Sequence, residues 1–256
     1  MSRRAEREKK RLDKLAANAA AIEEYNGYTE KWDLDWFKPN EYQAEIFECL
    51  DDEDVDIVLV NAPAGCGKSS AAIWKALTDI RNSKFKNLTF LKTPAEYGDD
   101  QIGFLTGDKN QKLDNHFEVM RGIFYDFMPK TKLTTDEKKG TIKFTIPNFL
   151  AGATLYNTIL IVDEAQTLSE ETLKLVLERL GEGSKAIVLY DHKQQYTVKH
   201  RSNGAKYLES LVVHRDLATG EVTEVEEFFE YVEIPSEMNM RSRVSRKITE
   251  LYARGS

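Results

Sequence analysis

The sequence is poor in residues that cross-link, anchor or repeat. Its 256 residues include only two cysteines, Cys49 and Cys66. Cys66 lies in a glycine-rich loop that a disulfide would distort, so both read as reduced thiols in a reducing compartment. No apolar run approaches the roughly 20 residues that a bilayer span requires. The N-terminus opens on charge, with no positive tip leading into an apolar segment. The expectation is a cytoplasmic protein with no membrane partner. His192 has no Cys or His at ligand spacing beside it, and such a lone histidine is more often a surface residue than a metal ligand. There is no internal repeat and no low-complexity linker.

What is present is ordinary globular material. Hydrophobic residues make up 41% of the chain and charged ones 31%, enough for one sizeable core. A net charge of -7 argues against a protein that coats nucleic acid through a globally basic surface, so any such contact must be local. Up to Lys14 there are seven basic and three acidic residues. Residues 1–30 therefore read as a charged, helical or flexible leader with high helix propensity and little apolar surface. Aromatic and apolar residues appear from Trp32 onward, and residues 31–256 are expected to form a single domain. A helix follows Pro39, with Asn40 as its cap.

Apolar runs at 56–61, 87–92, 158–163 and 185–190 predict strands, and helical periodicity covers 69–80, 108–127 and 169–180. Strands without polar alternation, separated by helices, predict an α/β fold with a mostly parallel sheet covered on both faces. Two stretches break this rhythm. Residues 130–146 read as a hairpin around the turn-forming run 136–140, and residues 211–234 read as a second hairpin turning at 218–220. Both are expected as β insertions or edges on the α/β core.

The chemistry gathers at strand ends. Ala62, Pro63, Ala64, Gly65, Cys66, Gly67, Lys68, Ser69 and Ser70 follow the first strand and open a helix. Residues 62–69 have P-loop spacing, with Ala62 where the first glycine is usual. The glycines let backbone N–H groups turn toward phosphates, Lys68 reaches the outer phosphates and Ser69 offers a hydroxyl to Mg2+. The strand 158–163 ends in Asp163 and Glu164, the adjacent acids needed to hold Mg2+ and to polarise the attacking water. Gln194, beyond the strand 185–190, is the candidate γ-phosphate sensor. Asn40 and Gln43 are candidate adenine readers, because an amide can donate and accept at once. Near the C-terminus Arg241, with Arg243 and Arg246 as alternatives, is a candidate arginine finger. ATP and Mg2+ are the expected ligands.

With these motifs in this order, the chain resembles the PhoH family of P-loop ATPases, which is related to the single-lobe core of superfamily-one helicases. The resemblance runs from about Pro39 to Tyr252. It rests on Lys92-Thr-Pro-Ala-Glu96, Gly103-Phe-Leu-Thr-Gly-Asp108, Val162-Asp-Glu-Ala-Gln166, Leu180-Gly-Glu-Gly-Ser-Lys185 and the Arg241 segment. The chain has Tyr190 where the family usually has glycine. It reads Ala151-Gly-Ala-Thr154 where the family carries a basic stretch. The resemblance implies a RecA-like lobe and a homo-oligomer in the form of a hexameric ring, with Arg241 acting across its interface. It also implies RNA or single-stranded DNA as the polymer acted upon. The alternative is a nucleotide-dependent assembly switch that binds a protein partner.

Overall fold

The computed structural model describes residues 31–93, 109–192 and 203–235, with Met238, Val244 and Lys247 beyond them. The apolar runs become strands: β1 (Ile57–Asn61), β2 (Asn87–Lys92), β3 (Ile142–Thr145), β4 (Thr158–Asp163), β5 (Lys185–Tyr190) and β8 (Phe229–Glu233). They form one six-stranded sheet in the order β3-β2-β4-β5-β1-β8. Every neighbouring pair is parallel. Alternation along each strand assigns its residues to two cores. Val58, Val60, Leu88, Phe90, Ile159 and Ile161 face one, while Ile57, Leu59, Leu91, Leu160 and Val162 face the other.

Helices α1 (Glu41–Asp51), α2 (Lys68–Arg81), α3 (Lys109–Phe124) and α4 (Lys130–Lys139) accompany the first core. There Phe124 packs edge-on against Phe90 and Phe144, at ring separations of 5.5 and 4.9 Å. Helices α5 (Pro147–Leu150), α6 (Glu170–Leu177) and α7 (Gly204–Val212) lie on the second. Gly204 is required where α7 starts, because a Cβ there would stand 2.6 Å from the Ser169 carbonyl oxygen. A short antiparallel ribbon, β6 (Val213–Arg215) with β7 (Val222–Val225), leads into β8. β5 is inserted between β1 and β4, and this α/β arrangement is RecA-like. No helix among the described residues is long and apolar enough to cross a membrane.

The expectation for 130–146 needs correction: only its second half is a strand, and Lys130–Lys139 is a helix. Pro129 at its N-cap and Gly140 at its C-cap, the latter with φ of 77°, bracket the segment. Inside it Lys132 pairs with Asp136 four residues on, and the Thr134 and Thr135 hydroxyls donate to carbonyls four residues back. These local bonds outweigh the β propensity of the threonines. In 211–234 the ribbon β6–β7 turns as expected, but the last strand continues into the central sheet and pairs in parallel with β1.

Candidate nucleotide site

β1 delivers its last residue, Asn61, to the carboxyl edge of the sheet. The chain then turns through Gly65 and Gly67, with φ of 81° and 79°, before α2 begins at Lys68. These are left-handed conformations that glycine adopts without strain. Ala62 is acceptable in place of glycine because its φ is not positive and its N–H still makes a strand-like bond, 2.9 Å to the Tyr190 carbonyl. Lys68 is buried and its Nζ lies 3.5 Å from the Pro63 carbonyl, curled over its own loop. Cys66 is buried within the loop, and that burial pushes its thiol pKa up, which keeps it protonated and unreactive.

Strand parity explains the convergence of the charged groups. Lys92 and Asp163 extend the alternation of Leu88 and Phe90 on β2 and of Ile159 and Ile161 on β4, so both emerge on the side covered by α2. Register sets them directly opposite each other. Lys92 Nζ donates to Asp163 Oδ2 at 2.7 Å and stands 4.0 Å from Glu164. Ser69, in the first turn of α2, donates its hydroxyl to the other oxygen, Asp163 Oδ1, at 2.9 Å. The loop around Lys68 and the acidic tip of β4 therefore meet, although β5 separates their strands.

A second chain of contacts crosses the tip of β5. Glu164 has left-handed backbone, with φ of 55°, and accepts from Gln166 Nε2 at 2.6 Å. The other end of the Gln166 amide accepts from the Asp191 N–H at 3.2 Å. The Asp191 carboxylate in turn accepts from the Ala64 N–H at 3.1 Å. Gln166 and Asp191 thus tie Glu164 to the phosphate loop. Tyr190 leaves this geometry alone, because its ring is buried and its hydroxyl donates to Glu209 on α7 at 2.7 Å.

Asn40 and Gln43 are put to structural use. They form a reciprocal capping box at the start of α1, and Gln43 Nε2 donates to the Cys66 carbonyl at 3.3 Å. Gln43 is 3% exposed, so both ends of its amide are engaged inside the protein, bracing the loop. Gln194 and Arg241 lie outside the described residues. Leu180–Lys185 is structural as well: the Ser184 hydroxyl accepts from the Thr158 N–H and donates to the Leu155 carbonyl, each at 2.9 Å, fixing the start of β4.

Three residues at the site escaped the assignment of roles from sequence. Lys92 was legible in parity, since it ends its strand on the same side as Asp163. Gln166 and Asp191 gave no such signal, because their roles depend on the order of strands in the sheet. Among the described residues no three His, Cys, Asp or Glu side chains gather as a metal cage. The Ser69 hydroxyl and Asp163 carboxylate are hard oxygen donors on one spot. That donor set fits Mg2+, which keeps most of its ligands as water and phosphate.

Comparison with known proteins shows the family. The chain is 32% identical over 157 residues to a PhoH-like protein of Synechocystis, covering 61% of this chain and 48% of that one. It is 32% identical over 139 residues to a PhoH-like protein of Bacillus subtilis, covering 54% and 43%. It thus spans about half the length of these relatives or somewhat less. Among solved structures, a Thermus phage large terminase ATPase domain aligns with a TM-score of 0.46 at 15% identity, over 86% of this chain and 89% of that one. The Pyrococcus furiosus Hef helicase domain aligns with a TM-score of 0.44 at 14% identity, over 81% and 40%. The sequence profile of PhoH-like proteins matches residues 38–253, and the chain belongs to that family.

Proposed function

We propose that the chain is a Mg2+-dependent ATPase that works on RNA or single-stranded DNA as a homo-oligomer. The observation that carries this reading is the bond between Ser69 and Asp163, which brings the phosphate loop and the acidic strand tip to one point. The backbone N–H groups of Gly65 to Lys68 bind the phosphates, and Lys68 exchanges the Pro63 carbonyl for their outer oxygens. Ser69 and Asp163 hold Mg2+, which supplies neutralising charge to the phosphates when bound. Glu164 accepts the proton of the water that attacks the γ-phosphorus, and Gln166 orients its carboxylate for that task. Gln194 senses the γ-phosphate.

The described residues hold the nucleotide from one side, and Arg241 of a neighbouring copy is assigned to close the other. Copies carrying Arg241→Ala and copies carrying Glu164→Gln should each be nearly inactive, and mixing them should recover turnover. A finger in trans is worth about 10³–10⁵ in rate. A mixture no faster than its components would remove Arg241 from that role.

The alternative, an assembly switch, gains from the correction at 130–146. The lysine-rich segment expected as a hairpin is largely helical, and Lys132 is paired with Asp136, which leaves less free positive charge there for a polymer. ATPase rates with and without single-stranded RNA or DNA, at several salt concentrations, separate the two readings. The motor requires stimulation that declines as salt rises, because phosphate contacts are screened and release counterions. Rates unaffected by either polymer would favour the switch.

A further inference from the structure

On the face of the sheet opposite α2, helices α6 and α7 leave an open groove of about 530 Å3 that contains Leu177, Tyr207, Leu208, Leu211 and Phe229. Tyr207 and Leu211 are 47% and 52% exposed, unusual for large apolar side chains beside one another on a short helix. Among the residues lining it, Glu170, Glu171 and Glu178 stand against Lys174. Glu178 lies 3.8 Å from both Lys174 and Arg179, while no ion pair engages Glu170 or Glu171 among the described contacts.

We propose that this groove takes residues 1–24 of a neighbouring copy of the chain. Charge and pattern are both complementary. The segment carries seven basic and three acidic residues up to Lys14, and then Leu12, Leu15, Ala16, Ala19 and Ile22 recur at helical spacing. On a helix these five form one narrow apolar stripe, with Arg7, Arg11 and Lys14 along one border. Such a stripe is too small to support a helix alone and suits a groove with an apolar floor and an acidic edge.

Geometry favours a neighbour's groove over the chain's own. Trp32 and Leu34, which follow the segment, are fixed on the α2 side: Trp32 donates to Asp136 at 2.7 Å, and Leu34 belongs to that core. The groove lies on the other side of the sheet. A segment leaving one side and a receptor on the other make a head-to-tail contact, which closes into rings when repeated by rotation. The inference requires a second copy, as the assembly reading does, but is independent of the chemistry at the nucleotide site.

Cysteine pairing in the full chain tests it. A tagged copy carrying Ala16→Cys is co-expressed with an untagged copy carrying Leu211→Cys and mildly oxidised. A tagged–untagged product on a non-reducing gel is expected, absent when either substitution is omitted. Adding Glu170→Lys, Glu171→Lys and Glu178→Lys to the untagged copy should lower its yield about tenfold, the combined effect of three rim ion pairs. Adding Arg7→Glu, Arg11→Glu and Lys14→Glu to the tagged copy should restore it. No mixed product, or a yield indifferent to charge reversal, would overturn the proposal. So would a single chain bearing both cysteines that links only to itself. Turnover measured on the same samples keeps failure here distinct from failure of the ATPase reading.

Discussion

Glu164→Gln is expected to bind ATP about as tightly as the parent chain and to hydrolyse it about 10²–10⁴-fold more slowly, the usual contribution of a positioned general base. The substitution isolates the chemistry. Gln matches Glu in size, imposes the same backbone requirement at φ of 55°, and still offers an oxygen to Gln166 Nε2, which now donates at 2.6 Å. What disappears is the ability to take a proton. Each tenfold loss corresponds to about 1.36 kcal/mol in the barrier. Lys68→Ala serves as the companion, because it should weaken binding itself. Single-turnover hydrolysis and nucleotide titration measure the two effects separately, and parent-like turnover in Glu164→Gln would remove that residue from catalysis.

The second large effect is expected at Lys92. Lys92→Met keeps most of the aliphatic stem and deletes the ammonium, leaving Asp163, 1% exposed, with only the Ser69 hydroxyl among the contacts described. Breaking a buried pair from one side costs about 3–5 kcal/mol, and the lower end applies because the Lys92 side chain is 20% exposed. For a chain of this size about 3 kcal/mol corresponds to roughly 6–12 °C in melting temperature. Mg2+ with a non-hydrolysable ATP analogue brings positive charge back to the carboxylate. It should therefore raise the variant's melting temperature by more than it raises the parent's. Identical melting temperatures for the two ligand-free chains would mean that Asp163 does not depend on Lys92.

The interior of the fold was readable because it is written in composition. β2, β4 and β5 were expected at 87–92, 158–163 and 185–190 and occupy those residues, since an apolar run bounded by turn chemistry has few other uses. The phosphate loop and the Asp163–Glu164 pair were readable for a similar reason: their backbone and charge requirements are local. Lys130–Lys139 reads as a strand because its alternating lysines and threonines imitate one, whereas Pro129 at its N-cap and Gly140 at its C-cap bound a helix. The link from Glu164 through Gln166 to Asp191 depends on β5 lying between β1 and β4, and the use of Gln43 as a brace depends on α1 packing against the loop that follows β1. Order in a sheet is a long-range property that spacing along the chain does not encode.

The pairing of Lys92 with Asp163 has an implication for the turn far below it. Adjacent residues of a strand project to opposite sides, so a slip of β2 by one position along β4 would carry the ammonium away from α2 and leave Asp163 facing an apolar neighbour. The turn at Ser83 to Lys86, held by bonds from Lys84 N–H to the Asp79 carbonyl and from Lys86 N–H to the Asn157 carbonyl, therefore sets the electrical balance at the opposite end of the strand. A change in the turn that did slip β2 by one residue along β4 would disarm the nucleotide site without altering any atom that touches nucleotide.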